Sequence, residues 1–163
     1  MIERPHIRDP RTDVMVYSLY SETRVPTEEM CEEIDTFVVD LQDVGCRIYT
    51  YTYTMAYCMM AAAKYGKRVI VCDRPNPING VTVEGNVTER EFTSFVGQFE
   101  LPTRPGMTIG EMAKMFNEHW NLVFRHALQA YRRTSTRRIP VGETHADGSG
   151  GPRDGRAARV RRS

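Results

Sequence analysis

The stretch Val69–Gly85 reads VIVCDRPNPINGVTVEG. Val69, Ile70, Val71 and Cys72 form an apolar run of the kind buried on both faces of a parallel sheet. The run ends on Asp73 and Arg74, a charged pair where a strand would emerge. Pro75 and Pro77 exclude a helix there, because each ring fixes its own φ and biases the residue before it. Asn79-Gly80 adds a second turn, and Glu84 stands just beyond it. In open parallel sheets, ligands bind outside the carboxyl ends of the strands. Asp73, Arg74 and Asn76 are therefore candidate site residues on a stiff loop. The alternative is a salt-bridged structural turn.

Upstream, IDTFVVDL (Ile34–Leu41) is a β-branched and aromatic run suited to a buried strand. It ends in Gln42-Asp43-Val44-Gly45. Between the two runs, YTYTYTMAY alternates with period two, but Met55, Met59 and Ala63 follow helical spacing. The reading is a helix over about 50–65, closed by Lys64 and a Gly66 cap, with its methionines in the core. Strand, helix and strand make a right-handed βαβ unit with parallel strands. Asp43 and Asp73 then both lie just past the carboxyl ends of neighbouring strands and face one crevice. Two adjacent carboxyl groups can divide acid and base roles when their environments split their pKa values. They can also hold a cation or a sugar's hydroxyls, and an Asp in such a turn is equally a helix N-cap.

Elsewhere, Val14–Leu19 reads as a short strand, and Thr27 as the N-cap of a short helix with Glu28 and Glu29 in its first turn. Phe92, Phe95 and Phe99 read as anchors docking a loop on the core, in preference to a sugar-stacking platform. Thr108-x-x-Glu111 is a capping box opening a helix with Met112, Met115 and Phe116 on one face. Arg104 lies just before that positive helix end, where an anionic ligand group would be favoured.

The 163 residues suit one domain with a sizeable core, and the net charge of +1 names no partner. The charge is unevenly spread. Residues 123–163 hold ten Arg, no Lys and three acids, whereas residues 1–122 carry a net −6. The expected organisation is an α/β unit over 1–122 and an Arg- and Gly-rich tail over 123–163. That tail reads as disordered or translated from a shifted reading frame, in preference to a nucleic-acid arm. Cys31, Cys46, Cys58 and Cys72 form no Cys-x-x-Cys pair, so neither a zinc site nor any other metal is expected. No Gly-x-Gly-x-x-Gly follows a strand, so no dinucleotide cofactor is expected. The opening residues do not read as a signal peptide, and no apolar run approaches the roughly 20 residues of a membrane span.

Several segments resemble the DUF1343 family: VYSLYSETRVPT (Val16–Thr27), DLQDVGCRIYTYTYTM (Asp40–Met55), VCDRPNPINGVTVEG (Val71–Gly85), SFVGQFELPTRPGMTIGEMA (Ser94–Ala113) and FNEHW (Phe116–Trp120). They run in family order over about 105 residues. The resemblance implies a Rossmann-like α/β fold, a parallel sheet with flanking helices, here incomplete. It implies an exo-β-N-acetylmuramidase of bacterial cell-wall recycling, a family often secreted or periplasmic. The substrate would be a non-reducing terminal N-acetylmuramic acid of a peptidoglycan fragment. By resemblance, Asp43, Asp73 and Glu84 are the catalytic candidates, and Arg47, Tyr49, Arg74, Asn76 and Arg104 line or support the substrate cleft. The sugar's lactyl carboxylate needs a cation, which Arg74 or Arg104 can supply. Three features depart from the family. Its upstream Pro-Glu-His-Gly motif has no counterpart here, Arg104-Pro105-Gly106 replaces Arg-His-Gly, and the Arg-rich tail stands where the family's smaller C-terminal domain is expected. The chain thus reads as an internal fragment, with a non-catalytic sugar- or nucleotide-binding module as the alternative function. Its oligomeric state is left open.

Overall fold

A computed structural model describes residues 5–119 and 128–132. Its centre is the expected βαβ unit. Strand β3 (Thr36–Val39) leads through helix α2 (Tyr51–Lys64) into strand β4 (Arg68–Asp73). The strands are parallel, with Phe37 opposite Val69 and Val39 opposite Val71. Helix α2 stops where its sequence says it should. Gly66 takes a φ of +66°, and the Lys67 N–H bonds back to the Ala62 carbonyl at 2.9 Å, the closing bond of a Schellman turn.

Around this unit the chain adds shorter pieces. Strands β1 (Ile7–Arg8) and β2 (Met15–Val16) pair antiparallel, so the expected 14–19 strand is reduced to two residues in a ribbon outside the main sheet. Helix α1 (Glu28–Glu32) is N-capped by Thr27, as its sequence indicates. Strands β5 (Glu84–Val87) and β6 (Pro102–Arg104) form a second antiparallel pair. Helix α3 (Ile109–His119) follows. Strand β7 (Leu128–Arg132) then pairs parallel with β4, giving the sheet order β3-β4-β7. Those five residues fall in the segment read from sequence as tail, because so short a run carries no periodic signal and its partner lies far back in the chain. The rest of that expected tail lies outside the described residues.

Side chains alternate across a strand, and one face of the sheet carries the core. Val39, Val69 and Val71 pack there with Tyr53, Met55 and Met59 of α2 and Ile109, Met112 and Phe116 of α3. Phe99 closes the cluster, its ring centroid 4.4 Å from that of Phe116. The opposite face is more open. Val38 is 63% exposed, and Ile70 and Cys72 are half-buried. Both helices therefore serve one face, and their N-terminal ends reach the carboxyl edge of the sheet.

The capping box at α3 is reciprocal. Thr108 N donates to Glu111 Oε2 at 2.9 Å, and Glu111 N donates to Thr108 Oγ1 at 3.2 Å. Thr108→Ala is expected to cost about 1–2 kcal/mol. Urea unfolding checks this, through a lower midpoint at unchanged m-value.

Candidate active site

The turn leaving β3 and the loop leaving β4 meet at the carboxyl edge of the sheet. Asp43 sits in the first turn and is 6% exposed. Its Oδ2 accepts from Gly45 N at 2.7 Å and its Oδ1 from Thr52 Oγ1 at 3.0 Å, so the carboxyl is tied to the first turn of α2. Burial raises its pKa above the usual carboxylate value, and the donors from Gly45, Thr52 and Val44 only partly offset this.

Asp73 ends β4 and is 7% exposed. Its Oδ2 accepts from Thr108 Oγ1 at 3.1 Å and its Oδ1 from Gly110 N at 2.9 Å. Both oxygens thus hold the start of α3, where the helix dipole favours a negative charge. The approach is close, since a Cβ on Gly110 would stand 2.7 Å from Asp73 Cγ.

Two further residues join the loops. Asn76 Nδ2 donates to Met107 O at 2.9 Å, and its Oδ1 accepts from Ile78 N at 3.0 Å. Gln42 Nε2 donates to Asp43 O at 2.8 Å and to Pro75 O at 3.3 Å. The result is a narrow crevice, closed even to a water-sized body in this structure, lined by Gln42, Asp43, Arg74, Asn76, Met107 and Thr108. It lies where open parallel sheets bind their ligands.

The structure brings Asp43, Arg74 and Asn76 to this crevice, with Asp73 at the adjoining start of α3. Arg74 is ion-paired with Asp40, through Nε at 2.9 Å and Nη2 at 2.5 Å. The remaining candidates belong to the β5–β6 hairpin and its support. Glu84 and Arg104 face each other across the hairpin as an ion pair at 2.8 Å, and Arg104 also donates to the Ile78 carbonyl. Arg104 is thus held by the hairpin and the Asn79 turn, and its guanidinium answers Glu84. Arg47 Nη1 donates to Asn86 O at 2.8 Å and Leu101 O at 2.6 Å, which fastens the hairpin to the turn after Asp43. The Arg47 carbonyl accepts from the Tyr53 hydroxyl at 2.7 Å. Tyr49 leans edge-on against Tyr51, with ring centroids 4.8 Å apart.

Sequence reasoning missed Thr52, Gln42 and Asp40. Thr52 carried a usable signal, since a hydroxyl in the first turn of α2 can reach a carboxylate in the preceding turn. Gln42 and Asp40 stood within a family-like segment, but their bonds to Pro75 and Arg74 span more than thirty residues and could not be read locally. Among the described residues no cluster of His, Cys, Asp and Glu could hold a metal ion, and no helix is long and apolar enough to cross a membrane.

Residues 2–139 match the family described as exo-β-N-acetylmuramidase NamZ, N-terminal. The chain belongs to this NamZ family. It is 50% identical over 114 residues to the peptidoglycan β-N-acetylmuramidase NamZ of Bacillus subtilis (strain 168), covering 70% of this chain and 28% of that protein. Its fold is similar to crystal structures of two DUF1343 family proteins from Bacteroides fragilis NCTC 9343. One has TM-score 0.67 and 46% identity, covering 77% of this chain and 32% of the other. The second has TM-score 0.58 and 37% identity, covering 66% and 30%. The chain therefore spans about a third or less of these relatives.

Two outcomes test the electrostatics. A folded-state pKa raised above the unfolded value of about 3.9 means that the folded chain holds the Asp43 proton more tightly. That contribution is complete below the unfolded value and is lost as pH rises through the folded one. The Tm of the wild-type chain, relative to that of Asp43→Asn, is therefore highest below the unfolded pKa of about 3.9 and declines towards neutrality. Asp73→Ala strands the Gly110 N–H and is expected to lower the unfolding free energy by about 1–3 kcal/mol in urea titrations.

Proposed function

We propose that this chain supplies the crevice wall of a glycoside hydrolase that removes non-reducing terminal N-acetylmuramic acid from peptidoglycan fragments. The observation that carries the reading is Asp43, a buried carboxyl with raised proton affinity at the carboxyl edge of the sheet, in a chain of the NamZ family. A carboxyl with raised proton affinity is better suited than an ordinary one to protonate the departing glycosidic oxygen.

The other candidates then take distinct roles. Glycosidases commonly use a second carboxyl group, about 5 Å or about 6.5–9.5 Å from the first according to stereochemical outcome. Glu84, 60% exposed at its side chain and countered by Arg104, is the candidate for that role. Asp73 acts as a positioning residue by aiming the start of α3 at the crevice. Arg74, partly exposed beside Asp40, can turn its remaining N–H groups towards the lactyl carboxylate. Asn76 and Arg47 keep the two loops and the hairpin in register, and Tyr49 borders the turn.

The assay offers muropeptides ending in N-acetylmuramic acid to this chain and to a NamZ relative with the same motifs, and measures free N-acetylmuramic acid by chromatography. Release by the relative is expected. Asp43→Asn at the aligned position should lower kcat at least ~100-fold with a small change in KM, and Arg74→Ala should raise KM. A relative that binds the fragments without releasing the sugar would favour the non-catalytic binding module and overturn the hydrolase reading.

A further inference from the structure

Thr50 stands at the N-cap of α2, yet its side chain makes no capping bond. Its backbone is already helical, with φ −85° and ψ −6°, whereas a capping residue is typically extended. The hydroxyl turns instead to Tyr20, thirty residues back in the chain. Tyr20 Oη lies 2.9 Å from Thr50 Oγ1 and 3.0 Å from Thr54 Oγ1. Thr54 spends its own proton on the Thr50 carbonyl at 3.2 Å, so its oxygen accepts from the phenol. The phenol oxygen then accepts from Thr50. One hydroxyl from outside the helix thus ties the N-cap to the turn that follows it.

The Tyr20 ring is itself held. It meets Phe95 edge-on at 6.0 Å, and the Arg24 guanidinium lies over both rings, 5.4 Å from Tyr20 and 4.4 Å from Phe95. Phe95 stacks in turn on Tyr57 of α2, with ring planes 3° apart, and Phe99 packs on Phe116. These two phenylalanines dock their loop as the sequence indicates. Phe92 departs from that expectation, since a 3₁₀ turn over Arg90–Phe92 leaves its ring outside the core at 70% exposure.

Thr52 lies between the two tethered threonines and donates to Asp43 Oδ1 at 3.0 Å. The other donors to Asp43 come from Val44 and Gly45 in its own turn. Among the donors of the described residues, Thr52 alone reaches the carboxyl from a different element. A donor to a carboxylate favours its charged form, so Thr52 opposes the rise that burial imposes. Arg74 shares the crevice with Asp43, and Tyr49 and Tyr53 lie within range of its charge.

We propose that Tyr20 is a positioning residue for Asp43, acting through the first turn of α2 on the Thr52 hydroxyl. Its catalytic meaning rests on the reading of Asp43 as the proton donor, since an acid works best with its pKa near the working pH. The test follows the Asp43 carboxyl resonance against pH in the full 163-residue chain labelled with carbon-13. Thr52→Val should raise the midpoint. Tyr20→Phe, which keeps the ring and removes the hydroxyl, should raise the Asp43 proton affinity at least ~twofold. Combined with Thr52→Val, it should add nothing to the shift of Thr52→Val alone. Thr54→Ala should act as Tyr20→Phe does, and Thr54→Ser, which keeps the hydroxyl, should leave the midpoint in place. All of these variants leave Arg74, Tyr49 and Tyr53 intact. A lowered Tm with an unmoved midpoint in Tyr20→Phe and Thr54→Ala would make Tyr20 a packing residue and overturn the proposal. So would a Tyr20→Phe shift that survives in the Thr52→Val background, or an unmoved midpoint in Thr52→Val. Should the NamZ relative release no sugar, the hydrolase reading fails while the titration still decides this proposal.

Discussion

The bond between the Asp73 carboxylate and the start of α3 joins the sheet to everything built on its carboxyl edge. Asp73 is the last residue of β4, and its two oxygens take the Thr108 hydroxyl and the Gly110 N–H. Thr108 is at once the partner of Asp73 and half of the capping box with Glu111. Met107, one residue earlier, gives its carbonyl to Asn76. Met107, Thr108 and Gly110, around the start of α3, are thus fixed from the β4 side. A buried carboxylate is costly unless hydrogen-bonded, and the N-terminus of a helix is among the few places that meets the need with backbone donors.

This arrangement separates the two aspartates that a sequence reading treats as a pair. Both are buried to a similar degree. Asp73 is spent on the dipole of α3, whereas Asp43 faces a turn and a hydroxyl and is pushed towards its protonated form. The arginines are also committed in advance. Arg47 binds carbonyls, Arg74 binds Asp40 and Arg104 binds Glu84. Cations held by neighbours lose little freedom when a ligand arrives, and on the proposed function a substrate carboxylate would join an existing network.

Local chemistry was legible in the sequence, and long-range pairing was not. The limits of α2, the Thr27 cap, the capping box and the parallel β3–β4 unit all follow from spacing within a few turns of chain. So did the placement of Asp43, Arg74 and Asn76 at one edge of the sheet. Strand β7 escaped because five residues without alternation declare themselves only once they lie against β4. Arg104 was legible as a cation near a helix end, but its pairing with Glu84 depends on hairpin register across twenty residues. Phe92 looked identical to Phe95 and Phe99, because composition does not reveal which ring a 3₁₀ turn leaves outside.

Gly45 sets a condition on how this site can change over time. It holds a φ of +79°, and a Cβ there would stand 2.3 Å from Asn76 Oδ1. Side chains other than hydrogen are disfavoured twice over, by backbone conformation and by the facing amide. The turn after β3 and the loop after β4 are therefore one unit of inheritance although thirty residues of helix and strand separate them. A lineage that drifts at position 45 must first reshape the Asn76 loop, and with it the wall of the crevice. On the proposed function, variation in sugar preference would then arise more readily from the open hairpin side of the molecule than from this locked edge.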